Sequence, residues 1–207
     1  MSGIIKISER LSYIKACEEP LSADVGIVLG DRYLWVFDVG AVKANAEYIR
    51  SFKKPVICVL SHFHQDHIGA VESVDAEKIY LGANTKKYVG RGEAVTDDLY
   101  FDDGVKIHIF PLPSSHAKGS IGLEADGYAF LGDGTYSCSK NGKIFYNATL
   151  LKDEIDRLRS LEAKYFLLSH DEKFVFSRGK VISELEKIYS LRQKDSPYIF
   201  LQSNVTD

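Results

Sequence analysis

The run Val56-Ile57-Cys58-Val59-Leu60, followed at once by Ser61-His62-Phe63-His64-Gln65-Asp66-His67, constrains this chain more than any other stretch. Five consecutive apolar residues are short for a helix and fit a strand covered on both faces. Such a strand must end where three imidazoles and a carboxylate can leave the apolar core, because burying any of them unpaired is costly. The fold therefore has to bring a buried strand end to a polar site.

The same device recurs along the chain. His116 follows the expected strand Val105 to Phe110 and its terminator Pro111-Leu112-Pro113. Asp133 lies just after the strand Tyr128 to Leu131, between Gly132 and Gly134, and His170 closes the strand Tyr165 to Leu168. Asp38, in Asp38-Val39-Gly40, ends the strand Tyr33 to Phe37. Taken singly, Asp66 reads as a helix cap, Asp38 and Asp133 as turn residues, and either histidine as a surface group. Taken together, they are strand-end ligands that gather where strands of neighbouring sheets finish on one edge. Imidazole and carboxylate are the donors that suit zinc and its first-row neighbours.

Between these points the patterning alternates strand and helix. Ile4 to Ile7 and Leu11 to Ala16 read as one strand pair. Asp24 to Leu29 and Tyr33 to Phe37 read as a second, turned at Gly30-Asp31-Arg32. Val42, Ala46 and Ile49 mark a helix that stops before Pro55. After the motif come a short helix from Ile68 to Val71, a strand from Lys78 to Leu81 and a helical turn from Thr85 to Val89. Arg91 to Asp103 is acidic and reads as an exposed loop, and Thr135 to Asn147 as a second long loop. A hairpin is expected around Asp126-Gly127. Leu150, Leu151, Ile155, Leu158 and Leu161 share a helical face, as do Val181, Leu185, Ile188 and Leu191, and Tyr198 to Leu201 reads as a last strand. No repeat or linker divides the chain, so residues 1–207 read as one domain.

Composition narrows the function classes. A formal charge of −3 gives no electrostatic case for nucleic acid. Cys17, Cys58 and Cys138 are odd in number and form no CxxC pair, which fits a reducing compartment. With no apolar leader in Met1 to Ala16 and no membrane-length apolar run, a cytoplasmic protein acting on a small molecule is expected. Oligomeric state is left open.

The order of these residues resembles the metallo-β-lactamase-fold hydrolase superfamily, with a core similar to those of glyoxalase II and metal-dependent lactonases. The resemblance spans nearly the whole chain, through Asp38-Val39-Gly40, the His62 to His67 motif, His116, Asp133 and His170. It implies an α+β fold, a four-layer αββα sandwich of two mixed β-sheets flanked by helices. It implies two divalent ions, zinc best, with iron or manganese accepted by some members. His62, His64 and His116 would hold one ion and Asp66, His67 and His170 the other, with Asp133 bridging and Asp38 bracing the ligand loops. Ser115 and Asp171 depart from the family pattern, which often has a glycine before the third-region histidine and a small residue after the last one.

Two such ions sharing a water would lower its pKa from 15.7 toward ~7 and supply a bridging hydroxide at neutral pH. Asp66 would orient this nucleophile or accept its proton. Tyr136 falls three residues after Asp133, where the lactonases carry a tyrosine near the substrate carbonyl. By that resemblance its phenol donates to the developing oxyanion; an aromatic packed on the core is the plainer reading. The expected activity is hydrolysis of a small thioester, ester or lactone. A small-molecule phosphodiesterase on the same two ions is the alternative, and a metal-binding scaffold without turnover is a third. Glyoxalase II enzymes add a helical domain for which Asp171 to Asp207 is too short, and the β-lactamases are exported.

Overall fold

Every residue of the strand Val56–Leu60 is buried, and successive side chains go to opposite faces. Ile57 and Val59 pack with Trp35, Phe37, Ile107, Leu123 and Phe130, residues that come from two different sheets. Val56, Cys58 and Leu60 pack on the other face with Ile27, Val36, Ala46 and Ile49. The computed structural model describes residues 4–201, so Met1 to Gly3 of the N-terminal segment lie outside it. The sequence forms the helices α1 (Ala44–Ser51), α2 (Gln65–Ile68), α3 (Ala83–Val89), α4 (Ala148–Ser160) and α5 (Arg178–Ser190). None of them is long and apolar enough to cross a membrane.

The first sheet runs Ile4–Lys6, Leu11–Ile14, Val25–Leu29, Leu34–Phe37, Val56–Leu60, Ala76–Leu81, Glu93–Ala94. Its pairings are antiparallel up to Leu34–Phe37 and parallel beyond it. The second runs Leu99–Asp102, Lys106–Leu112, Ser120–Ala125, Tyr128–Gly132, Tyr165–Leu168, Val175–Ser177, with one parallel pair, Tyr128–Gly132 beside Tyr165–Leu168. Leu151, Ile155 and Leu158 of α4 and Val181 and Leu185 of α5 cover its outer face against Phe110, Leu131 and Phe166. The result is the expected four-layer αββα sandwich of mixed sheets. Each fully buried Leu, Ile, Val or Phe in these layers contributes roughly 1.5–3 kcal/mol relative to exposure.

Parallel pairing has a consequence for the site. Leu34–Phe37 and Val56–Leu60 finish side by side, as do Tyr128–Gly132 and Tyr165–Leu168. The sheets meet at this edge, where the Ile121 N–H donates to the Ser61 carbonyl at 2.9 Å. Gly132 adopts φ +56, and a Cβ there would lie 2.8 Å from Ser61 Oγ and 2.9 Å from Ser61 Cβ. Only glycine allows this approach.

Two expected loops are corrected. Arg91 to Asp103 contains the strands Glu93–Ala94 and Leu99–Asp102, because Leu99 and Phe101 pack inward against the inter-sheet core while Tyr100 faces out. Its acids hid this alternation. Asp98 pairs with Arg157, and buried Asp103 accepts from the Arg32 and Tyr33 N–H groups and from Trp35 Nε1. Thr135 to Asn147 contains the hairpin Cys138–Lys140 with Lys143–Asn147, which adds Tyr198–Leu201 to make a third small sheet. Its turn is Asn141-Gly142, both at positive φ, the pair that two-residue hairpins favour. The helix after the motif also starts earlier than expected, at Gln65, inside the ligand run. The strand Lys106–Leu112 extends through Pro111 because its partner Leu99–Asp102 reaches only to Ile109, so beyond that point one side of the strand lacks a ladder neighbour from that sheet.

Gly132→Ala and Gly142→Ala separate backbone strain from close approach. Both sites have positive φ, but nothing lies within 4 Å of a Cβ built at Gly142. Urea unfolding should show a loss of about 1 kcal/mol at Gly142 and about 2–4 kcal/mol at Gly132, where overpacking adds to the strain. Equal losses would mean that the Ser61 contact relaxes freely.

Candidate metal centre

The motif leaves its strand without regular structure, and the chain bends at Phe63 between His62 and His64. His64, at φ −68 and ψ 142, is the last extended residue before α2, so Asp66 and His67 fall on that helix's first turn. This change of backbone divides the motif between two groups of donors.

In the first group, His62 Nε2 is 2.9 Å from His64 Nδ1, which is 3.1 Å from His116 Nε2. His116 Nε2 is also 3.4 Å from Asp133 Oδ2. In the second, His67 Nε2 lies 3.3 Å from Asp133 Oδ1 and 3.5 Å from Asp66 Oδ2. His170 Nε2 is 2.9 Å from Asp66 Oδ2 and 3.9 Å from Asp133 Oδ1. Within each group the donor atoms all lie within 4.8 Å of one another, and Asp133 belongs to both. His108 lies elsewhere, with Nδ1 3.0 Å from Glu124 Oε2.

Do these residues fit metal ions? His67 Nε2 and Asp133 Oδ1 are buried, face each other, and have no hydrogen-bond partner among the described residues. Buried polar atoms are almost always paired. Three imidazole nitrogens converging within hydrogen-bond distance likewise present lone pairs to one point. A divalent cation in each group would satisfy both observations, so the donor sets fit.

The electrostatics point the same way. Burial, then the neighbouring His67 and His64, push His62 far below the usual histidine range. Burial and His116 lower His64. At His67 burial opposes the charged form, but Asp38 and Asp133 outweigh it and raise the group to about 10. The hydrogen bond to Asp66 raises His170 against burial. Burial disfavours the Asp66 carboxylate, yet His170 and His67 hold it below the usual range. The first group favours neutral imidazoles; in the second the carboxylates favour positive charge, as they would a cation.

Braces beneath the ligands set their orientation. Asp38, fully buried at φ +57, accepts from the Ser61 N–H at 2.7 Å through Oδ1. Its Oδ2 takes Ser61 Oγ at 2.7 Å and His67 Nδ1 at 2.7 Å, which aims His67 Nε2 into the site. His62 Nδ1 lies 2.9 Å from Ser61 Oγ, so its Nε2 is aimed in the same way. The His116 N–H donates to Ser114 Oγ, and His116 Nδ1 is 3.2 Å from the Ser137 carbonyl. Ser115 accepts from the Asn147 N–H, and Asp171 from the Lys173 N–H. Tyr136 donates its hydroxyl to the Ser169 carbonyl, and its ring centroid is 6.4 Å from that of His116.

Sequence reasoning missed Asp24 and Ser169. Asp24 Oδ2 accepts from the His170 N–H at 3.0 Å and Oδ1 from the Ala16 N–H at 3.0 Å. Ser169 Oγ accepts from the Asp24 N–H and donates to Asp24 Oδ2. His170 is held at φ +61, a conformation that non-glycine residues adopt at a cost. A carboxylate 146 residues away left no local signal.

No protein-family model matches the sequence, and no curated protein matches it. The structure is similar to solved ones. It matches a stereoselective inverting sec-alkylsulfatase from Pseudomonas sp. at TM-score 0.70 and 14% identity, covering 92% of this chain and 42% of that one. It matches a metallo-β-lactamase from Pontibacter korlensis at TM-score 0.65 and 19% identity, covering 92% and 99%. It matches a flavo di-iron protein from Thermotoga maritima at TM-score 0.67 and 12% identity, covering 94% and 64%. This chain therefore spans under half of the alkylsulfatase. The chain has the metallo-β-lactamase fold.

Metal-free protein should show a pH signature from His67. Its pKa rises from 6.5 to about 10 on folding, so its proton stabilises the fold fully below pH 6.5 and that contribution is lost as pH climbs through about 10. Thermal unfolding in chelator should show Tm falling across this window, by several degrees. Metal-loaded protein should not show this fall, since the ion replaces the proton. A flat profile for the metal-free protein would show that Asp38 and Asp133 do not hold this proton.

Proposed function

We propose that the chain is a metal-dependent hydrolase that cleaves a small ester-like bond: a thioester, ester or lactone. The observation that carries this reading is the pair of donor groups sharing Asp133, with His67 Nε2 and Asp133 Oδ1 buried and unpartnered. His62, His64 and His116 would hold one ion and Asp66, His67 and His170 the other. Five imidazoles and two carboxylates suit zinc, and also accept iron or manganese. When bound, two such ions supply Lewis acidity and a water acidified enough to act as nucleophile at neutral pH. No serine or cysteine nucleophile is then needed. Water adds across the acyl–oxygen or acyl–sulfur bond, giving an acid and an alcohol or thiol.

The protein's own groups have separate tasks in this reading. Asp66, held in its anionic form and partly exposed, orients the attacking water and takes its proton. Asp38 holds the His67 ring through Nδ1, and Asp24 holds the backbone N–H of His170, fixing where that residue leaves its strand. The Tyr136 ring lies 6.4 Å from that of His116, while its hydroxyl is bonded to the Ser169 carbonyl beside His170; to stabilise a developing oxyanion it would exchange that carbonyl for the substrate oxygen. The proteins that share this fold carry different chemistries in their names, among them sulfatase, lactamase and di-iron protein. The fold therefore does not choose the bond that is cleaved.

Purified protein is expected to carry close to two metals per chain. His64→Ala or Asp133→Ala should abolish hydrolysis, by at least about 10³-fold, without unfolding the chain. A folded protein that takes up no metal would overturn the proposal. A panel of thioesters, lactones and bis-p-nitrophenyl phosphate sets the bond type; turnover of the phosphodiester alone would replace the ester reading with the nucleotide-type one. Tyr136→Phe should lower turnover about 10²-fold with metal content intact, the loss typical of an oxyanion donor. Unchanged turnover would leave that tyrosine as a brace of the Ser169 loop.

A further inference from the structure

Phe63 sits between two ligands of the first group, and its ring centroid is 4.9 Å from that of His64 and 6.3 Å from that of His62. Tyr88 of α3 stacks on Phe63 at 4.7 Å with the planes only 11° apart. The pair is not buried: Tyr88 is 60% exposed and Phe63 half-buried. Large aromatic side chains usually fill cores, so two rings stacked flat next to His64, the outer one mostly exposed, leave apolar ring surface open near the first group.

Their position is fixed from both sides. Phe63 belongs to the ligand motif itself. Helix α3 is locked to the loop that carries His116, because Gly82, which precedes the helix, approaches the Gly119 carbonyl so closely that a Cβ would lie 1.8 Å from it. Of α3, only Thr85 is buried, so the helix does little for the core and mainly presents its outer residues. Lys87, beside Tyr88, turns to its own helix, where its Nζ donates to Asn84 Oδ1. The carboxylates of the site lie on the far group, at Asp66, and at the shared Asp133. The Phe63–Tyr88 stack next to His64 is thus a flat apolar surface, and Asp133 is the one carboxylate of the first group.

We propose that the Phe63–Tyr88 pair is the subsite for an aromatic or flat apolar acyl group, so that the chain prefers arylacyl esters or thioesters to short aliphatic ones. This rests on the hydrolase reading of the neighbouring centre. An aryl ring one or two bonds from the scissile carbonyl reaches the stack when that carbonyl lies against His64 and His116. Offset stacking on the exposed face then adds to ordinary apolar burial.

The test uses metal-loaded protein and two substrates matched in leaving group, an acetyl and a phenylacetyl thioester. The ratio of kcat/KM, phenylacetyl over acetyl, should fall about tenfold in Tyr88→Ala and persist in Tyr88→Phe, which keeps the ring. Metal content, measured alongside, should stay at the wild-type value. An unchanged ratio in Tyr88→Ala overturns the subsite. If no ester is turned over, the hydrolase reading fails, and binding decides the subsite separately. Phenylacetamide titrated against the protein should then shift the Tyr88 and Phe63 ring resonances saturably while acetamide does not, and equal or absent shifts overturn it. Concentration-dependent shifts of those rings without ligand would assign the stack to a second copy of the chain and also overturn it.

Discussion

The site depends on one buried carboxylate. Asp38 has no contact with solvent and takes three donors: the Ser61 N–H, the Ser61 hydroxyl and His67 Nδ1. Its backbone is left-handed because the chain must turn sharply at the end of Leu34–Phe37 to reach beneath the neighbouring strand end. The turn is itself held: the Ala41 N–H donates to Ser22 Oγ, and Asn45 Nδ2 to the Val39 carbonyl. Through Ser61 the same carboxylate also reaches His62. One residue of the first sheet thereby orients an imidazole in each donor group. Removing one partner from such a buried network leaves the others unpaired, at a cost of roughly 3–5 kcal/mol where charges are involved.

The second sheet needs its own brace, and the chain supplies it from the first. Asp24 stands at the start of Val25–Leu29, yet it bonds the His170 N–H and Ser169 hydroxyl beyond the end of Tyr165–Leu168. Gly132 closes on Ser61 in the opposite direction, and Ile121 donates to the Ser61 carbonyl. Every one of these links crosses the seam between the sheets. The ligand geometry therefore cannot form within either sheet alone; it appears when the inter-sheet core of Trp35, Phe37, Ile107, Leu123 and Phe130 closes. Packing energy in the sandwich is what holds the donors in place.

What was legible in the sequence follows from this division. The ligands could be read because each stands just past an apolar strand, and the strands could be read because a buried strand is uniformly apolar. The braces could not. Asp24 looks like any residue at a strand start, and its partner is remote in sequence. Leu99–Asp102 was hidden because acids flank it, and Asp98 and Asp103 are tied to Arg157 and Trp35, partners that only the fold supplies. The hairpin at Asn141-Gly142 did carry a local signal in its turn pair, but its partner strand Tyr198–Leu201 comes from the other end of the chain. Local chemistry marks what faces the site; long-range bonds decide how it is held.

The two donor groups are unequal in a way that bears on where a substrate lies. Only one of four donors around His62 is a carboxylate, against two of four around His170. Asp38 also stands behind His67, at 2.7 Å, and adds its field to the second group. For equal ions the first group is the more electropositive and the better place for a carbonyl oxygen as charge builds on it. The second group is the more compensated, and Asp66 there, besides serving as a ligand, would take the proton in the proposed reaction. The apolar stack of Phe63 and Tyr88 borders the first group. In the proposed reaction the wall that would hold an acyl chain and the pole that would polarise its carbonyl are therefore on the same side, and the leaving group would lie toward Asp66 and His170.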